Sequence, residues 1–130
     1  MLRQLLLALS IIDRVMRKLS KKEYDLSRWL LENGSEEAKK YLGQLKLAAA
    51  TDWKCECGCA SFNYKVEGLP EAKPGVEILS DYLFGGEKSL AGVFVFSSGG
   101  VLSGLEVYGL AIDAPSELPR ITDLRPMESN

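Results

Sequence analysis

Val93-Phe94-Val95-Phe96-Ser97-Ser98-Gly99-Gly100-Val101-Leu102-Ser103-Gly104-Leu105-Glu106-Val107-Tyr108 reads as two strands joined by a tight turn. The unbroken run of β-branched and aromatic residues at 93–96 is what a central strand covered on both faces requires. Ser97-Ser98-Gly99-Gly100 supplies the hairpin turn, and 101–108 returns as the last long strand. Upstream, Gly85-Gly86-Glu87-Lys88 is a second turn. Residues 76–84 form a strand with Val76, Ile78, Ser80, Tyr82 and Phe84 on one face and Leu79 and Leu83 on the other, a short helix being the competing reading. Pro70 and Pro74 mark 68–75 as a loop, and Phe62, Tyr64 and Val66 alternate with Ser61, Asn63 and Lys65 as a half-buried strand. A three- to four-stranded antiparallel meander over 51–112 follows from these segments.

Before Thr51 the apolar period is near 3.6 rather than two. Leu2, Leu5, Leu9, Ile12, Met16 and Leu19 predict an amphipathic helix, widened by Leu6, Leu7, Ile11 and Val15. Packing on a core and a homodimer through this helix both satisfy that stripe. Ser20-Lys21-Lys22-Glu23 has capping-box spacing and starts a second helix carrying Tyr24, Leu26, Trp29, Leu30 and Leu31. It ends at Asn33-Gly34, where glycine can adopt the left-handed conformation that closes a helix. Ser35-Glu36-Glu37 caps a third, whose inward face is Ala38, Tyr41, Leu42, Leu45 and Ala49, weakened by Gly43. Pro115, Pro119 and Pro126 exclude a long final helix and leave 113–130 as an extended tail, pinned by Leu118, Ile121 and Leu124. The expectation is one α+β domain over 1–130: about three helices in 1–50, the sheet in 51–112, then the tail.

A chain of 130 residues suits one core. Its net charge of −2 divides unevenly. Residues 1–50 hold ten basic and six acidic side chains, and residues 51–130 hold six basic and twelve acidic. An acidic sheet region steers a basic partner and repels a phosphate backbone, so direct nucleic-acid binding is not expected. The leucines of the start continue past Asp13-Arg14 without a small-residue cleavage site, and the stretch is too short for a membrane span. A cytoplasmic protein with no membrane partner and reduced thiols is expected, which an odd count of three cysteines suits.

The densest constellation is Cys55-Glu56-Cys57-Gly58-Cys59. On an extended segment Cys55 and Cys57 share a face, and Gly58 can bend the chain to bring Cys59 round to the same soft metal. Zinc is the metal considered, but a structural zinc site takes four ligands, so Asp52, Glu56, Asp81 or a second subunit would have to complete it. Oxidation to a labile disulfide and simple packing beneath a turn are the other readings of the three thiols. The chain has no histidine, which removes the commonest general base and metal ligand. Asp81, Glu106 and Asp113 could form an acid–base pair, yet their spacing carries no specific signal, and an enzyme is not expected. Ser97-Ser98-Gly99-Gly100 lacks the lysine of a phosphate loop. Trp29 and Trp53 belong at the junction of helices and sheet, with Trp53, between Asp52 and Lys54, a candidate binding anchor.

Cys57-Gly58-Cys59-Ala60-Ser61-Phe62, Gly104-Leu105-Glu106-Val107-Tyr108 and Leu118-Pro119 together carry a resemblance. The segment 55–124, about half the chain, resembles small bacterial proteins in which a Cys-x-Cys-Gly-Cys-x-Ser stretch opens a sheet and a Leu-Glu-Val-Tyr strand comes late. Such proteins are similar to immunity proteins of bacterial toxin systems, including contact-dependent growth inhibition. The resemblance implies a non-enzymatic cytoplasmic protein that binds and neutralises a cognate toxin domain. A basic nuclease is the kind of toxin that an acidic surface would fit. On this reading the partner-binding residues are Trp53, Glu77, Asp81, Glu87, Glu106, Tyr108 and Asp113. The alternative function is metal binding or thiol redox chemistry at Cys55, Cys57 and Cys59.

Overall fold

A computed structural model describes residues 16–127. Most of the first predicted helix lies outside them. Its last part is described and is not helical: Met16–Arg17 form a short strand, β1, and Leu19 is buried in the core. Strand pairing to Ala50 and Thr51 takes the place of helical bonds there. Helix α1 (Lys21–Glu32) begins at the predicted capping box. The Ser20 hydroxyl accepts from the Glu23 amide at 3.1 Å, and the Glu23 carboxylate accepts from the Ser20 amide at 2.8 Å. Gly34 is not left-handed, contrary to the sequence reading. It is needed for closeness instead, because a Cβ there would stand 2.5 Å from the Leu79 carbonyl oxygen.

The third helix is two single turns, α2 (Glu36–Lys39) and α3 (Leu42–Leu45). Ser35 caps the first as expected, accepting from the Ala38 amide at 3.3 Å. Ala38, Tyr41 and Leu45 are buried as predicted, whereas Ala49 is not on that helix. Ala48–Thr51 is strand β2 despite the high helix propensity of alanine. Pairing with the next strand outweighs a few tenths of a kcal/mol per residue of local preference.

The remaining strands are β3 (Phe62–Val66), β4 (Glu77–Phe84), β5 (Ala91–Ser98), β6 (Val101–Gly109) and β7 (Arg125–Pro126). With β1 and β2 they form one seven-stranded sheet in the order β1-β2-β3-β6-β5-β4-β7, and every pairing is antiparallel. The fold is therefore α+β, but with more sheet and less helix than expected. It is not a simple meander, since β3 pairs with β6 and the 67–76 connection carries the chain to the far side of β5. The Ser98↔Val101 hairpin closes through Gly99 and Gly100, both at positive φ. The tail is less free than predicted: 121–123 make a 3-10 turn and Arg125–Pro126 pair with β4. Leu118, Ile121 and Leu124 do pack against the core.

Leu26, Leu30 and Leu31 of α1 meet Tyr64, Val93, Val95, Leu105 and Val107 in one core on one face of the sheet. A bulge between Ile78 and Ser80 breaks the predicted alternation of β4. It buries Leu79 and Ser80 and leaves Ile78 exposed on the opposite face from Tyr82.

Glu23 joins α1 to β1, because Arg17 of β1 donates two hydrogen bonds of 2.7 Å to its carboxylate. Those bonds hold the Glu23 carboxyl below the usual range against the opposing effect of burial, with help from Ser20. A depressed carboxyl contributes stability that is complete above the unfolded value of about 4.3 and is lost as pH falls through the folded value. Glu23→Gln is expected to lower stability by about 1–2 kcal/mol at pH 7. In urea titrations across pH the gap to the unsubstituted protein should close toward pH 3.

Candidate functional site

Residues 52–61 connect β2 to β3 and carry all three cysteines. The Gly58 amide donates to the Cys55 carbonyl at 3.0 Å, and Gly58 takes φ +81°, so the predicted bend is present. The loop is anchored at its far end. The Ala60 amide donates to the Pro115 carbonyl at 3.0 Å, and the Ser61 hydroxyl accepts from the Val107 amide of β6 at 2.9 Å. The three sulfurs converge within 4.8 Å of one another, and those of Cys55 and Cys57 stand 2.6 Å apart. They are close enough to hold one metal ion.

Cys57 is exposed, and Cys55 and Cys59 are half-buried. Thiols packed away beneath a turn, one of the sequence readings, would not be placed so. Hydrogen bonds with Cys55 and then Cys59 favour the protonated form of Cys57 and push its thiol up to about 11. Burial alone would raise Cys59, but hydrogen bonding with the Ser61 side chain and amide, and then with Cys57 and Cys55, outweighs it and holds that thiol below its ordinary value. Among the described residues no carboxylate joins the three sulfurs. Asp81 is ruled out as a fourth ligand by topology, since β4 is separated from β3 by two intervening strands.

The second cluster occupies the sheet face opposite α1. Here the register sets Asp81 of β4 against Phe94 of β5, and Phe94 against Glu106 of β6. The two carboxylates thus flank one aromatic ring, about 10 Å apart by strand spacing. The Tyr108 hydroxyl donates to Asp81 at 2.8 Å, and its ring lies 5.8 Å from that of Phe94, which lies 5.6 Å from Phe96. Two glycines make room for this layer. A Cβ on Gly92 would fall 2.2 Å from the Tyr108 ring, and one on Gly104 would fall 2.7 Å from Phe96. Burial raises the Asp81 carboxyl above its ordinary range, and the Tyr108 hydrogen bond only partly opposes this. No family model, curated protein or solved structure matches this chain.

Asp81, Glu106 and Tyr108 are therefore brought together, and the other predicted partner-binding residues are not among them. Glu77 is exposed at the opposite end of β4 from Glu87, which opens the 3-10 turn before β5. Asp113 is exposed beyond β6, and Trp53 is exposed beside the cysteines. Trp29, by contrast, packs edge-on against Tyr82 at 4.9 Å, at the helix–sheet junction as predicted.

Sequence reasoning missed Phe94 and Phe96 because it took 93–96 as covered on both faces. Val93 and Val95 are fully buried, but Phe94 and Phe96 stay half-exposed on the face away from the helix. The signal available was Gly92 and Gly104, glycines inside strands that mark a close approach. Tyr108→Phe removes the donor that favours the charged form of Asp81. The Asp81 carboxyl is then expected to titrate at higher pH than in the unsubstituted protein, as followed by carboxyl carbon NMR.

Proposed function

We propose that this protein is a non-enzymatic binding protein whose sheet face opposite α1 takes a basic protein partner. The observation that carries this reading is the placement of Asp81 and Glu106 on either side of Phe94, on a face where Phe94, Phe96 and Tyr108 stay half-exposed. Aromatic rings between carboxylates suit lysine and arginine side chains, which stack on the rings and pair with the charges. A raised carboxyl such as Asp81 lowers the stability of the free fold at neutral pH, and a cationic partner would offset that cost. The excess of acidic side chains in 51–130 supports steering of the same kind of partner. The resemblance to immunity proteins supplies the class of partner: a cognate toxin domain, neutralised in the cytoplasm.

Co-purification with the product of the adjacent gene, and survival of cells expressing that product, test the proposal together. Asp81→Asn keeps an acceptor for Tyr108 but removes the charge. It is expected to weaken the complex at least tenfold while raising the urea midpoint of the free protein at pH 7, and the stability gain should vanish toward pH 3. A complex unaffected by both Asp81→Asn and Glu106→Gln would show that this face is not the interface.

A second reading rests on a separate observation, the convergence of the Cys55, Cys57 and Cys59 sulfurs within 4.8 Å. Sulfurs that share a tetrahedral ion at about 2.3 Å lie roughly 3.8 Å apart, a spacing that small side-chain rotations reach from here. On this reading the loop binds a thiophilic metal, with zinc the first to test. Protein purified under reducing conditions is expected to retain about one metal per chain by elemental analysis, and Cys57→Ser to retain none.

A further inference from the structure

We infer that the cysteine loop is a three-coordinate trithiolate site, suited to copper(I) rather than to a closed four-ligand zinc site. This inference rests on the metal-binding reading of the loop and adds the coordination number and the class of ion. Three sulfurs are supplied by five consecutive residues, and the turn at Gly58 folds them to one side. Among the described residues no carboxylate oxygen lies with the sulfurs, and the whole chain has no histidine. Zinc in a structural site needs a fourth protein ligand, which this loop does not offer. Copper(I) is a soft, closed-shell ion that accepts three thiolates in a plane with no fourth donor.

The surroundings fit an anionic complex with one open side. Binding one copper(I) displaces three thiol protons and leaves a centre of charge −2, with no change in the oxidation state of copper or sulfur. Lys54 and Arg17 line the same cleft, of about 310 Å³, as Cys55 and Cys59. Arg17 is already paired with Glu23, so among the described residues that line the cleft Lys54 is the cation left to respond to the new charge. The bonds from Ala60 to Pro115 and from Ser61 to Val107 fix the β3 end of the loop. Cys59 is thereby held while Cys55 and Cys57 close on the ion, so the site needs no rearrangement of the sheet.

The reduced full-length protein is titrated anaerobically with copper(I) against a chromophoric copper(I) chelator, and separately with zinc(II) against a zinc dye. The expected result is one copper(I) per chain, three sulfur neighbours by X-ray absorption, and zinc held too weakly to compete with its dye. Cys55→Ser, Cys57→Ser and Cys59→Ser should each lower copper(I) affinity at least 100-fold with an unchanged far-ultraviolet circular dichroism spectrum. Undiminished binding by Cys59→Ser would reduce the site to a pair and overturn the inference. So would tight zinc binding at one ion per two chains, although the metal-binding reading would then stand. Binding of neither ion would overturn both.

Discussion

Helix α1 is the one long helix among the described residues, and the rest of the molecule is arranged around what it can cover. A 12-residue helix is about 18 Å long, enough for one face of a few strands. Leu26, Leu30 and Leu31 fill that face, closing the core over Val93, Val95, Leu105 and Val107. Among the described residues no helix covers the opposite face. There Tyr108 and Phe96 lie over Gly92 and Gly104, so that the sheet's own aromatic rings shield its centre. A surface built this way keeps half-exposed aromatic rings beside charged groups, a combination that protein recognition uses.

The two candidate sites differ in how the fold makes them. The aromatic and acidic face is a property of register: without the pairings of Asp81 with Phe94 and of Phe94 with Glu106, no cluster forms. The thiol site is a property of local chain geometry, held to the sheet by Ser61. That hydroxyl takes the S–H of Cys59 at 3.1 Å and the amide of Val107 at 2.9 Å, linking the loop to the strand that carries Tyr108 on its other face. Glu23 has a comparable role at the start of α1. It caps α1 and grips Arg17, and through its carbonyl it holds the Ser27 hydroxyl that meets buried Tyr64.

Local signals were legible where a few neighbouring residues sufficed. The capping box at Ser20, the cap at Ser35, the Gly99-Gly100 turn and the bend at Gly58 all appear where the sequence placed them. Ala48-Ala49-Ala50 misled because its propensity is helical and its partner, β3, lies further along the chain. The same distance problem hid the crossover that sets β3 beside β6 and the pairing of Arg125–Pro126 with β4. Gly34 was identified as special for the wrong reason, since close packing against Leu79 and a left-handed cap both demand glycine.

By itself the sequence determined an α+β chain with a basic first part and an acidic second part, three thiols gathered within five residues, and no histidine chemistry. These follow from composition, from short-range spacing and from turn residues, which act over a few positions. Only the tertiary structure decided that Asp81 bonds Tyr108 and shares a face with Glu106 while Glu77, Glu87 and Asp113 stay apart. Strand order and the bulge at Leu79 make that decision, because a change of register by one residue turns every side chain to the other face. The convergence of the sulfurs, too, needed three dimensions: spacing brings the thiols near one another, and the anchored loop points them at a single position.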